Sequence, residues 1–260
     1  MSELHQEIYG QGEPVVMLHG WAMHTGIWRE FAQALAVCRQ VICLDLPGHG
    51  LSKNISPYTL ESVVDAVSAQ LPGQASVLVG WSLGGNVALR LAEKYPQRVK
   101  AVVLIASNPH FVQTESWPGM PAQLLQEFAA NIQKNARQTL LRFMSLQVQD
   151  RADVRASLKQ IKRAMQECAA PDPEILLAAL QVLQTVDQRE MLRSLNLPVL
   201  MVFAGQDSLV PVSAVEACRL LSEKVELKII PGAGHLPFIS DQKQLLFLLE
   251  GFILRSGANG

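Results

Sequence analysis

At 260 residues, 49% of them hydrophobic, the chain carries enough apolar mass for one large core, which excludes disorder. A formal net charge of −1 excludes general affinity for nucleic acid. Cys38, Cys43, Cys168 and Cys218 stand at no CxxC or CxxH spacing and read as buried thiols rather than metal ligands.

The first predicted element covers residues 4–9, an antiparallel edge strand. Residues 1–14 lack the basic start and apolar stretch of a signal peptide, and no apolar run nears the roughly 20 residues of a membrane span. A cytoplasmic protein, expected as a monomer, follows. Short, mostly apolar β-like runs then recur at 15–18, 40–45, 76–81, 100–106, 198–204 and 225–230, separated by loops and helical patterns. That rhythm predicts an α/β fold: a mostly parallel sheet with helices on both faces.

The rhythm breaks once. Between Ala106 and Pro198 helical periodicity takes over, with Leu124, Phe128 and Ile132 on one stripe and Val154, Leu158, Ile161 and Met165 on another. WPGMP (117–121) and PDP (171–173) break the helices. The expectation is an inserted helical lid over 110–190, above the carboxyl ends of the strands, with 1–109 and 191–260 forming the core.

Gly80-Trp81-Ser82-Leu83-Gly84 matches G-x-S-x-G, between an apolar run and a helical pattern (apolar at 87, 88, 91 and 92). A sharp turn in that context pushes a serine hydroxyl into the open as a nucleophile. Such a serine needs a base and a group to orient it. Of six histidines, His235 follows the last apolar run on a glycine-rich loop, whereas His19 and His49 suit structural hydrogen bonding. Asp207 follows a strand and precedes His235, completing the order Ser–Asp–His, and Asp45 reads as part of a turn in LDLPGHGLS. The expected oxyanion donors are the backbone N–H groups of Leu83 and Trp21, and the indoles of Trp21 and Trp81 are candidate pocket walls. No cofactor or metal enters this chemistry.

HGW, DLPGHGLS, GWSLGG, GQDSLVP and GAGHLPF, in this order, resemble the α/β-hydrolase superfamily over essentially the whole chain. HGWAMHTGIW, GWSLGGNVALRLA, SNPHFVQTESWPGM, RFMSLQ, LQTVDQRE and HLPFIS further resemble the pimeloyl-[acyl-carrier protein] methyl ester esterase family of biotin synthesis. That resemblance implies a cofactor-free serine carboxylesterase with Ser82, Asp207 and His235 as its triad. It also implies substrate contacts from Trp21, Ser82, Leu83, Phe143, Met144, Ser145, Leu146, Gln147 and His235, and acyl-carrier protein as the partner. A C–C bond hydrolase, a short-chain esterase or a hydrolase-like binding module are the alternatives. Between Lys134 and Arg163, eight basic residues stand against two acidic ones. Arg142, Arg155 and Lys159 are candidates for a carrier-protein face, because acyl-carrier proteins are acidic.

Overall fold

The central apolar runs become strands buried on both faces, leaving no polar alternation to select one side, while the last run, 225–230, forms a half-buried edge strand. The structure, a computed structural model, describes residues 3–147 and 154–257. Its strands are β1 (Gln6–Tyr9), β2 (Pro14–Leu18), β3 (Gln40–Leu44), β4 (Ser76–Trp81), β5 (Val99–Ile105), β6 (Val199–Ala204) and β7 (Val225–Ile230). They form one sheet in the order β1-β3-β2-β4-β5-β6-β7. Only β1 runs antiparallel, pairing Gln6 with Leu44 at the edge, and all other neighbours are parallel.

Two separate rows of helices cover the sheet. One contains α1 (Arg29–Leu35) and, late in the chain, α10 (Gln242–Gly257), which meets the short α9 (Pro237–Ser240). The other contains α2 (Leu60–Ser68), α3 (Leu83–Lys94), α7 (Arg189–Ser194) and α8 (Ala214–Leu221), packed in succession. The central strands β2 and β4 are wholly buried, so the core lies beneath the point where the loops after both strands diverge.

Between β5 and β6 no strand of the sheet occurs among the described residues. The interval holds α4 (Ala122–Leu146), α5 (Val154–Glu167) and α6 (Pro173–Thr185). Pro173 opens α6, where a missing N–H costs nothing. One feature departs from a continuous helical stripe: α4 breaks at Asn135, whose φ of −158° and ψ of 84° are not helical. The cause is local, because Asn135 Oδ1 accepts from the Gln138 N–H at 3.0 Å and caps the second half as a new helix. The interval is closed at its base, where His110 bridges Asp187 and the Gln188 N–H donates to Pro109 O at 2.8 Å. Gln188 and Asn86 of α3 also exchange amide hydrogen bonds of 2.8 and 2.9 Å. The four cysteines are free, but only Cys43 and Cys218 are buried as expected, burial pushing the Cys218 thiol up to about 12, whereas Cys38 is exposed and Cys168 half-buried.

Candidate active site

β4 ends at Trp81, and the next residue, Ser82, takes φ 53° and ψ −120° before α3 begins at Leu83. A positive φ on a residue with a β-carbon is strained and needs support from its surroundings. The support is visible: the Ser82 N–H donates to Ile105 O at 3.0 Å, and Ser82 O accepts from Ser107 Oγ at 2.9 Å. Gly84 permits the turn, because a β-carbon there would lie 2.2 Å from Leu18 O. The start of α3 therefore presses directly on the end of β2. Gly20 makes the return approach, since a β-carbon on it would meet the Trp81 ring at 3.0 Å and Ser82 Cβ at 3.2 Å.

The loop after β6 delivers Asp207 and the loop after β7 delivers His235. His235 Nδ1 donates to Asp207 Oδ2 at 2.8 Å, with both side chains buried. The other carboxylate oxygen accepts from the Leu209 and Val210 N–H groups at 2.8 and 3.0 Å. This holds the proton on Nδ1 and leaves the lone pair of Nε2 unused. Nε2 is buried and makes no hydrogen bond among the described residues, Ser82 Oγ included. Such contacts commonly tighten only around substrate. The Trp81 indole donates to His235 O at 2.8 Å, so the residue before the serine also braces the histidine. Local sequence carried no sign of that brace.

The backbone N–H groups of Trp21 and Leu83 have no acceptor among the described residues. Leu83 opens a twelve-residue helix, whose dipole adds positive potential at its N-terminus. The two donors belong to the segments that Gly20 and Gly84 bring together. Trp21 also donates its indole N–H to Leu176 O of α6 at 2.9 Å and meets the Phe143 ring edge-on at 4.7 Å.

His19 and His49 make structural hydrogen bonds, although His49 Nε2, like that of His235, is buried without a partner among the described residues. His19 accepts at Nε2 from the Leu46 N–H at 2.9 Å and donates from Nδ1 to Gly20 O at 2.8 Å, so neither nitrogen is free. Burial, with His49 alongside, holds its pKa well below the usual imidazole range. His49 donates to Pro47 O at 2.9 Å, and burial pushes it down to about 4. Asp45 is buried at the foot of its turn, accepting from the Thr25 N–H at 2.6 Å and the Leu51 N–H at 2.8 Å.

At the end of α4, Phe143, Met144 and Gln147 are buried, while Leu146 O accepts from Ser208 Oγ at 3.0 Å, beside Asp207 in sequence. Ser145 is exposed and bonds its own helix at Leu141 O. Arg142 and Lys159 are exposed, and the side chain of Arg155 lies outside the described residues. Among the described residues no group of three or more His, Cys, Asp or Glu could hold a metal ion, and no helix is long and apolar enough to cross a membrane.

The chain is similar to known proteins in family and fold. The model of the alpha/beta hydrolase fold family matches residues 13–242. The chain is 38% identical to the pimeloyl-[acyl-carrier protein] methyl ester esterase of Nitrosomonas europaea, over 95% of this chain and 98% of that protein. It is 36% identical to the protein of the same name from Nitrosospira multiformis, over 91% and 93%. Among solved structures, a thermophilic esterase from Thermogutta terrifontis superposes with a TM-score of 0.84 at 24% identity, covering 97% of this chain and 93% of that one. That likeness concerns the fold.

Proposed function

The chain belongs to the pimeloyl-[acyl-carrier protein] methyl ester esterases, carboxylic ester hydrolases of the α/β-hydrolase fold, and we propose that Ser82, His235 and Asp207 are its catalytic triad. Its substrate in this reading is the methyl ester at the far end of a pimeloyl chain carried by acyl-carrier protein, a step in biotin synthesis. Ser82 Oγ attacks the ester carbonyl carbon as His235 Nε2 takes its proton. The oxyanion that forms is held by the N–H groups of Trp21 and Leu83, and α3 adds its dipole. Collapse expels methanol, protonated by His235. A water, deprotonated by the same nitrogen, then adds to the acyl-enzyme, and Ser82 leaves with its proton restored. Asp207 keeps the imidazole in the required tautomer and stabilises the imidazolium.

One observation carries this reading: the buried Asp207 carboxylate fixes the Nδ1 proton at 2.8 Å while Nε2 has no partner among the described residues. The acyl chain is read as passing Trp21 and the segment of Phe143, Met144, Ser145, Leu146 and Gln147, above which residues 110–190 act as the lid. Carrier protein is read as docking on the basic face that includes Arg142, Arg155 and Lys159. No specific observation favours a C–C bond hydrolase or a binding module. The test is mass spectrometry of methyl-pimeloyl carrier protein before and after incubation. Wild type should remove one CH2 equivalent from the acyl group and release methanol, and Ser82→Ala should leave the mass unchanged. Turnover by Ser82→Ala within tenfold of wild type would sink the assignment.

A further inference from the structure

We propose that His24 is a positioning residue of the oxyanion hole, through which helix α5 sets the backbone donor of Trp21. The proposal rests on the reading of the Trp21 N–H as an oxyanion donor. Residues 21–25 are buried, and they turn at Ala22, whose φ is 63°. The turn closes with the Met23 N–H on Gly20 O at 3.3 Å, a long bond. An alanine holds a left-handed backbone only where its surroundings over-determine it.

Here the surroundings are the inserted helices. Trp21 donates to Leu176 O of α6 at 2.9 Å, and His24 Nε2 donates to Ala164 O of α5 at 2.7 Å. His24 Nδ1 accepts from the Gly26 N–H at 3.1 Å, so both ring nitrogens are engaged and the ring is fixed in one tautomer. At the next residue, Thr25 N–H on Asp45 Oδ1 pins the chain to the core. The strained turn therefore hangs between the core and two carbonyls of the insert, 155 and 140 residues away in sequence. α5 has its own hold on the core, because Glu167 accepts from Arg29 Nη1 at 2.7 and 2.8 Å and Arg29 Nη2 donates to Glu7 at 2.9 Å. The consequence is that the oxyanion hole is complete only while α5 is seated, which couples the position of the insert to the chemistry rather than to access alone.

Three full-length proteins separate this from a structural role: wild type, His24→Asn and His24→Gln. Asparagine keeps an acceptor for the Gly26 N–H but is too short to reach α5, whereas glutamine restores the reach. The readouts are kcat and KM on p-nitrophenyl butyrate and affinity for a trifluoromethyl ketone. Ser82 Oγ adds to the carbonyl carbon of that ketone, passing its proton to His235 and leaving an oxyanion in the hole. His24→Asn should lower kcat about tenfold or more, keep KM within about twofold and weaken the ketone by the same factor as kcat, since small displacements of an oxyanion donor are costly. His24→Gln should recover most of the loss. A kcat for His24→Asn within twofold of wild type, whatever its Tm, overturns the proposal. If that variant fails to fold, Glu167→Ala on the exposed side of α5 carries the test. A roughly threefold loss in both kcat and ketone affinity supports the coupling, and no loss in either overturns it. Failure of the triad reading would show separately, as activity retained by Ser82→Ala.

Discussion

Two buried aspartates stand at strand ends, and their hydrogen bonds give them different work. Asp207 offers one oxygen to His235 and the other to two backbone N–H groups, whereas Asp45 gives both oxygens to backbone. Asp207→Asn should therefore lower kcat by roughly 10³–10⁴ with little change in Tm, because an amide facing Nδ1 puts the imidazole proton on the wrong nitrogen. Asp45→Asn should behave oppositely: an NH2 would face an N–H, costing about 1–3 kcal/mol of stability with a far smaller kcat loss. Thermal melts paired with steady-state kinetics on both variants check this, and the reverse pattern would reassign the acid. His49 makes a further residue-scale prediction. Burial sets its folded pKa at about 4, below the ordinary 6.5, so the unfolded chain binds the extra proton between those values. Stability is full above pH 6.5 and falls as pH drops toward 4, by about 1.4 kcal/mol per pH unit for each such group. His19 shifts the same way and deepens the fall. Urea melts from pH 7 to pH 4.5 should show this slope, and His49→Gln should flatten it.

At the scale of elements, the site depends on how closely α3 meets β2. The contact is backbone on backbone, so nothing flexible can yield when volume is added. Gly84→Ala should cost about 1–3 kcal/mol and lower kcat as the elbow is displaced, because its new methyl would fall 2.2 Å from Leu18 O and 2.7 Å from His19 O. Gly73→Ala is the control, since no atom lies within 4 Å of its added carbon, and it should stay within about 0.5 kcal/mol of wild type. Differential melts decide, and equal effects at both positions would remove the close-approach account. The strands themselves were readable from local sequence because apolar runs buried on both faces need no partner to be recognised. The break at Asn135 was not, because the apolar stripe of α4 runs on through it and the capping bond depends on one side chain's choice.

For the molecule as a whole, the charge is unevenly placed. A chain of net −1 carries eight basic and two acidic residues between Lys134 and Arg163, and Arg142, Lys159, Lys162 and Arg163 are exposed. If this face receives an acidic carrier, Arg142, Arg155 and Lys159 act through association rate and are screened by salt over about 8 Å at physiological ionic strength. The triple alanine variant should lose kcat/KM on carrier-bound ester, wild type should lose it as salt rises, and hydrolysis of p-nitrophenyl butyrate should change little in either case. Equal losses on both substrates would mean damage to the insert. No loss on either would mean a solvated helix face.

The sequence by itself determined the alternation of strands and helices, the glycine-bounded serine at their sharpest join, and the chain order Ser82, Asp207, His235. Those signals are local, carried by periodicity and by residues a few positions apart. Tertiary structure decided what each polar group bonds: Asp207 and not Asp45 to His235, both nitrogens of His19 to backbone, the Trp81 indole to His235 O, and His24 to α5. Those partners lie up to 154 residues apart in sequence, and hydrogen bonds of 2.7–2.9 Å are set by the path of the folded chain rather than by neighbours along it.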